Sequence, residues 1–201
     1  ADWTFPVPIA YGPGRFDELP DHCHRLGVNN PLIVTDRGTA SLTFVSRATD
    51  LLAHAGIAST IFHNISQNPT ESDVRNAHSV FRSGSHDGVI AIGGGSGMDA
   101  GKATALLAGS RHELWEYDFE KVPPRLDPAD KFPPLICIPT TSGTGAETES
   151  TAMITNLDRG MKLCVWHPFL KPQLAILDPK LTLGLPADLT AWTGVDALVH
   201  A

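Results

Sequence analysis

The stretch Ile92–Gly109, "IGGGSGMDAGKATALLAG", decides how the rest of the chain is read. The apolar run "DGVIAIGGG" leads into it, four glycines fall within five residues, and an alanine-rich run follows. Strand, glycines, then helix is the arrangement that aims backbone N–H groups and a helix N-terminus at an anion. Glycine also lets phosphate oxygens approach the backbone closely. Gly95-x-Gly97-x-x-Ala100 fits the GxGxxG/A dinucleotide pattern, but in an unusual place. That pattern opens the first βα unit and is followed by an acid about 20 residues on. Here the plausible acid, Asp36, lies 57 residues before Gly93. A P-loop fails, because Ser96 stands where glycine is needed and Ala103 where Ser or Thr is needed. The competing reading is a tight turn with close helix–sheet packing.

Working outward, apolar β-type runs alternate with helical patterns. "NPLIVTD" (Asn30–Asp36) reads as a buried strand ending in an acid. "ASLTFVSRATDLLAHAG" places Phe44, Leu51 and Leu52 at helical spacing. "IASTIFHNI" is the next strand. In "TESDVRNAHSVFRSG", Thr70 opens a helix, acids fill its first turn and Gly84 closes it. "PLICIPTT" (Pro134–Thr141) is a further strand. This order argues for a parallel sheet covered on both faces. From Arg111 to Lys131 prolines and charges dominate, which predicts a surface excursion. "MITN" and "GMKLCVWHP" predict a hairpin turning at Asn156–Gly160, "PQLAILDP" a short strand, and "LPADLTAWTGVDALVHA" a helix.

The 201 residues suffice for one sizeable domain, or for one plus part of another. With 42% hydrophobic and 18% charged residues the composition is that of a soluble globular protein. No apolar run reaches the ~18 residues of a membrane span, and the N-terminal segment shows no signal-peptide pattern. A net charge of −7 without a Lys/Arg cluster argues against nucleic acid. Cys23, Cys137 and Cys164 are odd in number and widely spaced, so neither a disulfide framework nor a CxxC site is indicated. Reduced cytoplasm is the expected compartment.

Two further constellations accompany the glycines. Asp36 ends a strand, where a carboxylate can accept from ribose hydroxyls; a turn or helix cap is the competing role. "PTTSGTGAE" (Pro139–Glu147) follows another strand and supplies hydroxyls and glycines without bulk. Together they would line the crevice where open α/β sheets bind ligands. In "TGVDALVHA", Asp196 and His200 share a helix face at i,i+4 and are competent divalent-metal ligands; a helix-stabilising pair is the alternative. "DHCH" puts His22 and His24 at i,i+2, pointing apart, which predicts surface placement. The single histidines His54, His63, His78, His86, His112 and His167 receive no role.

In order along the chain, "YGPGRFDEL", "VTD", "NPT", "GGGSGMDAGK", "PTTSGTGAE", "LAILDPKLTLGLP" and "TGVDALVHA" resemble the iron-containing (group III) alcohol dehydrogenase family, of the dehydroquinate synthase-like fold. The resemblance implies an α/β, parallel-sheet dinucleotide-binding domain over 1–185 and the start of an all-helical metal-binding domain over 186–201. It implies that Asp36 contacts the adenosine ribose and favours NAD over NADP. Asn68 would lie near the adenine end or the phosphates, and Gly94, Gly95, Ser96 and Gly97 would hold the pyrophosphate. Thr140, Thr141 and Thr144 would line the cofactor crevice, Asp99 and Lys162 would sit near cofactor and cleft, and Leu181 and Thr182 would flank the cofactor. Asp196 and His200 would be the first two ligands of Fe²⁺, or of Zn²⁺. Many members carry proline at the position of Gly97, and the family's other two ligands are histidines further along the second domain. The sequence is therefore expected to be a piece of a longer protein, with Trp192, Val195, Leu198 and Val199 lacking a packing partner.

The function so implied is a metal-dependent alcohol dehydrogenase that moves a hydride between an alcohol or aldehyde and a nicotinamide cofactor. This piece alone is expected to be inactive, and the whole protein a homodimer or higher homo-oligomer. The N-terminal segment "TFPVPIAYGPG" offers an edge strand to a partner, or an ordinary edge. Two other readings stand beside it: a nucleotide-binding module without catalysis, and a metal-free relative such as a maleylacetate reductase.

Overall fold

The structure, a computed structural model, describes residues 7–201. Six strands form one parallel sheet in the order β1-β8-β5-β4-β2-β3. They are β1 (Ile9–Tyr11), β2 (Pro31–Asp36), β3 (Thr60–Ile65), β4 (Gly88–Gly93), β5 (Leu135–Pro139) and β8 (Leu174–Leu177). A separate antiparallel hairpin pairs β6 (Thr151–Asn156) with β7 (Met161–Trp166). Gly160, at φ +62, closes its turn, a conformation glycine adopts without strain.

Burial on both faces explains why the runs of β2, β4 and β5 are largely apolar. Ile33, Ile90, Ile92, Ile136 and Ile138 pack on one face with Leu19 and Cys23 of α1 (Leu19–Leu26) and Ala48 and Leu52 of α2 (Thr43–His54). Leu32, Val34, Val89, Ala91, Leu135 and Cys137 pack on the other. They meet Phe81 of α3 (Glu71–Ser83) and Met98, Ala100 and Ala105 of α4 (Gly95–Gly109). A capping box starts α3: Thr70 Oγ1 accepts from the Asp73 N–H, and Asp73 accepts from the Thr70 N–H.

The chain leaves β2 for β3 on one side and leaves β4 for β5 on the other, so the direction of winding reverses between β2 and β4. In open parallel sheets that reversal opens a crevice at the carboxyl ends of the strands. Asp36 ends β2 and Gly93 ends β4, so both lie at its mouth.

Several expectations need correction. The excursion after Arg111 is not all surface. Leu114 and Tyr117, on a short 3-10 turn, are fully buried with Leu106, Ala152 and Val165. Sparse apolar anchors among prolines and charges carry no periodic signal. His22 is buried, not at the surface, and its Nδ1 meets Arg25 Nη2 at 2.5 Å, whereas His24 is exposed. The inward face of α2 is Val45, Ala48 and Leu52, with Phe44 and Leu51 only partly buried. Of the N-terminal segment, residues 1–6 lie outside the described residues; β1 is an edge strand, with Ile9 and Tyr11 exposed.

The last helix, α5 (Ala187–His200), buries none of its residues. Trp192, Val195, Leu198 and Val199 are between 61% and 76% exposed, as expected from the sequence. Gly143, in the loop after β5, permits a close approach of α5. A Cβ there would stand 2.9 Å from the Thr193 carbonyl oxygen and 3.0 Å from Asp196 Oδ2.

Candidate active site

The opening stretch combines close helix–sheet packing with an uncapped helix start. Gly101 brings α4 against β4, since a Cβ there would lie 2.5 Å from Ala91 Cβ. That is close helix–sheet packing. At the other end, Gly93 takes φ +144 and turns the chain from strand to helix. No side chain caps α4 and no acid occupies its first turn. Its leading N–H groups thus remain available to an anion.

Three segments close around this turn. Positions for added Cβ atoms measure the approach: Gly97 is 2.8 Å from the Ile92 carbonyl oxygen and 3.5 Å from Asp36 N, Gly94 is 3.5 Å from Thr141 Oγ1, and Gly95 is 3.2 Å from Thr144 Cγ2. Thr140 is buried and its N–H donates to the Gly93 carbonyl at 2.9 Å. Asp36 is already engaged: Oδ1 accepts from the Gly38 and Thr39 N–H groups, and Oδ2 from the Thr39 hydroxyl at 2.7 Å. The carboxylate therefore braces its own turn while facing the glycines across the crevice.

Beyond the turn lies a cleft of about 520 Å³. Helix α4 contributes Gly95, Ser96 and Asp99 to its wall, and the loop after β5 Thr144 and Ala146. Thr151, Met153 and Lys162 come from the hairpin, and Asp196 and His200 from α5. Thus Gly95, Ser96, Asp99, Thr144, Lys162, Asp196 and His200, distant in sequence, share one cavity. Asn68 does not line it and is exposed; its neighbour Pro69 does line it, and the Gln67 carbonyl accepts from Ser96 Oγ. Leu181 packs on the apolar core and Thr182 Oγ1 donates to the Pro179 carbonyl. Neither is among the residues that border the cleft.

Sequence reasoning missed Lys102 and Glu149. Glu149 lines the cleft. Lys102 is completely buried; its Nζ donates to the Ala146 carbonyl at 2.7 Å and lies 3.8 Å from Asp99 Oδ1. A single cation inside an otherwise apolar helical run was the available signal. Burial pushes the Asp99 carboxyl up to about 6, against the opposing pull of Lys102 and of the Met153 N–H that Oδ2 accepts from. The linkage has a definite sign. An acid whose folded value lies above its unfolded value costs stability once it ionises in the fold, so the cost is absent below the unfolded value and complete above about 6. Between pH 4 and pH 7, Asp99→Asn should therefore gain on the parent by roughly 3 kcal/mol, taking 1.36 kcal/mol per pH unit. Chemical denaturation across that range checks it; a pH-independent difference contradicts the buried, ionisable Asp99.

At the cleft rim Asp196 Oδ1 and His200 Nε2 stand 3.7 Å apart, both about half exposed. The pair fits two positions of a metal's coordination sphere. Among the described residues no group of three or more His, Cys, Asp or Glu side chains could hold a metal ion.

Fold and site together define a parallel-sheet α/β domain of the dinucleotide-binding type. The family described as iron-containing alcohol dehydrogenase matches residues 6–179, and the chain belongs to it. It is 44% identical over 190 residues to the 4-hydroxybutyrate dehydrogenase of Cupriavidus necator, covering 93% of this chain and 48% of that protein. It superimposes on the crystal structure of a 1,3-propanediol oxidoreductase with a TM-score of 0.89 and 33% identity, over 99% of this chain and 51% of that one. A sulfoacetaldehyde reductase from Bifidobacterium kashiwanohense, solved in complex with NAD⁺, gives a TM-score of 0.84 and 32% identity, over 97% and 50% of the two chains. The chain spans about half the length of the relatives it matches.

Proposed function

We propose that this chain is the NAD-binding wall of a metal-dependent alcohol dehydrogenase. The observation that carries the reading is the uncapped glycine turn at the β2/β4 reversal, opening into the cleft that Asp196 and His200 border. In this account residues 1–185 form the cofactor domain and 186–201 begin a second, helical one. The N–H groups of Gly94 to Gly97 bind the pyrophosphate. Asp36 accepts from the adenosine ribose, and Thr140, Thr141 and Thr144 line the path to the nicotinamide end, where Asp99 and Lys162 lie. Bound nicotinamide supplies the hydride acceptor or donor. Asp196 and His200 would hold a divalent ion, Fe²⁺ or Zn²⁺, whose chemistry is that of a Lewis acid that lowers the pKa of an alcohol.

The substrate is a small alcohol or aldehyde, and the whole enzyme a cytoplasmic homo-oligomer that the exposed β1 edge helps to form. By themselves the 201 residues bind nucleotide without turnover, since two side-chain ligands leave most of a metal's coordination sphere to water. No helix of the described residues is long and apolar enough to cross a membrane.

Titrating the chain with NAD⁺, NADH and NADP⁺ tests the cofactor assignment. NAD(H) should bind more tightly, because a carboxylate repels a 2′-phosphate and accepts from a 2′-hydroxyl. Asp36→Gly should narrow the gap by about tenfold. The variant should also lose about 1 kcal/mol of stability, because the Gly38 and Thr39 donors lose their acceptor. Tighter binding of NADP⁺ by the parent chain sinks the assignment.

A further inference from the structure

We propose that Lys102 is a positioning residue that holds the loop Thr144–Glu147 against α4 and so sets the width of the phosphate cradle. The proposal rests on the nucleotide-binding reading above. Lys102 sits two turns into α4, completely buried, between the buried Gly101 and Ala103. Taking an ammonium out of water is costly, and although a whole buried ion pair can often be replaced by apolar groups, removing one member leaves the other uncompensated. Methionine fills a similar volume but leaves Asp99 without its cation. What methionine cannot do is donate to the Ala146 carbonyl, which Lys102 reaches at 2.7 Å. Asp99 Oδ1, 3.8 Å away, balances the charge from inside the cleft.

That one contact falls beside a close approach of this loop to the glycine turn. Ala146 lies two residues beyond Thr144, whose Cγ2 would stand 3.2 Å from a Cβ on Gly95. The chain turns between them at Gly145, with φ +66. Other hydrogen bonds of this loop are local: the Ala146 N–H donates to Thr144 Oγ1 at 3.3 Å, and the Thr148 N–H to the Gly145 carbonyl. Lys102 instead ties the loop to the helix whose first turn carries the anion-facing N–H groups.

Lys102→Met is the test, read three ways: the thermal midpoint without ligand, hydrogen exchange of the Gly145–Glu147 amides, and NAD⁺ affinity by calorimetry. The midpoint should fall, since Asp99 and the Ala146 carbonyl both lose their partner, the loop amides should exchange faster, and affinity should fall about tenfold or more, the worth of one charge-assisted hydrogen bond. Should Lys102→Met fail to fold, Lys102→Gln, uncharged and one bond shorter, carries the same expectations for exchange and affinity. A lower midpoint with unchanged loop exchange makes Lys102 a structural residue and overturns the proposal. So does NAD⁺ affinity within about twofold of the parent. If the parent itself binds no NAD⁺, it is the nucleotide reading that fails, while the exchange arm still reports whether Lys102 braces the loop.

Discussion

Gly95→Val should weaken NAD⁺ binding by on the order of 100-fold or more while the domain stays folded, since two or more charge-assisted hydrogen bonds are at stake. Gly95 is the first residue of α4 and lines the cleft. A Cβ there meets only the Thr144 side chain, nearest its methyl group at 3.2 Å, and the backbone is not left-handed. The side chain of Thr144 can yield by a few tenths of an ångström, and valine is no worse a helix former than glycine. The branched side chain fills the space that phosphate oxygens need, so binding and folding separate. Gly101→Val provides the contrast. Its Cβ would stand 2.5 Å from Ala91 Cβ inside the core, where overpacking costs about 1–3 kcal/mol. That variant should lose stability, whereas Gly95→Val should lose affinity at a thermal midpoint near the parent's. Unchanged NAD⁺ affinity in Gly95→Val would reduce the glycines to a plain turn.

Metal is the second large effect. Asp196 and His200 contribute two donors at a half-exposed rim, so the 201-residue chain should take up Zn²⁺ or Fe²⁺ only weakly. Extended with the C-terminal half of the Cupriavidus necator relative, it should bind one ion per chain. His200→Ala in that extended protein should remove the ion and the dehydrogenase activity yet spare NAD⁺ binding, because the glycine turn belongs to another wall of the cleft. Metal content by mass spectrometry and cofactor affinity by calorimetry read the two effects separately. Full activity in the His200→Ala protein would make the pair an ordinary helix contact. Tight stoichiometric metal in the 201 residues alone would mean that other side chains complete the site.

Much of this architecture is legible in the sequence because the strands are buried on both faces. Runs such as Leu32–Val34 and Val89–Ile92 are apolar end to end, and glycines and capping residues mark where they stop. The capping box at Thr70 and Asp73 is local chemistry, and so is the i,i+4 relation of Asp196 and His200. What escapes is set by tertiary packing. Leu114 and Tyr117 are buried by a helix and a hairpin that the chain reaches from opposite sequence directions. His22 turns inward although its neighbours are polar. The part played by Lys102 depends on the Ala146 carbonyl, 44 residues away, and no spacing rule reaches that far.

Adding NADH to the isotopically labelled chain and mapping amide shifts is the most direct test of the cofactor account. The expected result is a contiguous set of perturbed amides at Asp36–Thr39, Gly93–Gly97 and Thr140–Ala146, the three segments that meet at the β2/β4 reversal. Perturbations elsewhere, for instance along the groove between α1 and β1, with Gly93–Gly97 unmoved at saturation, would contradict it.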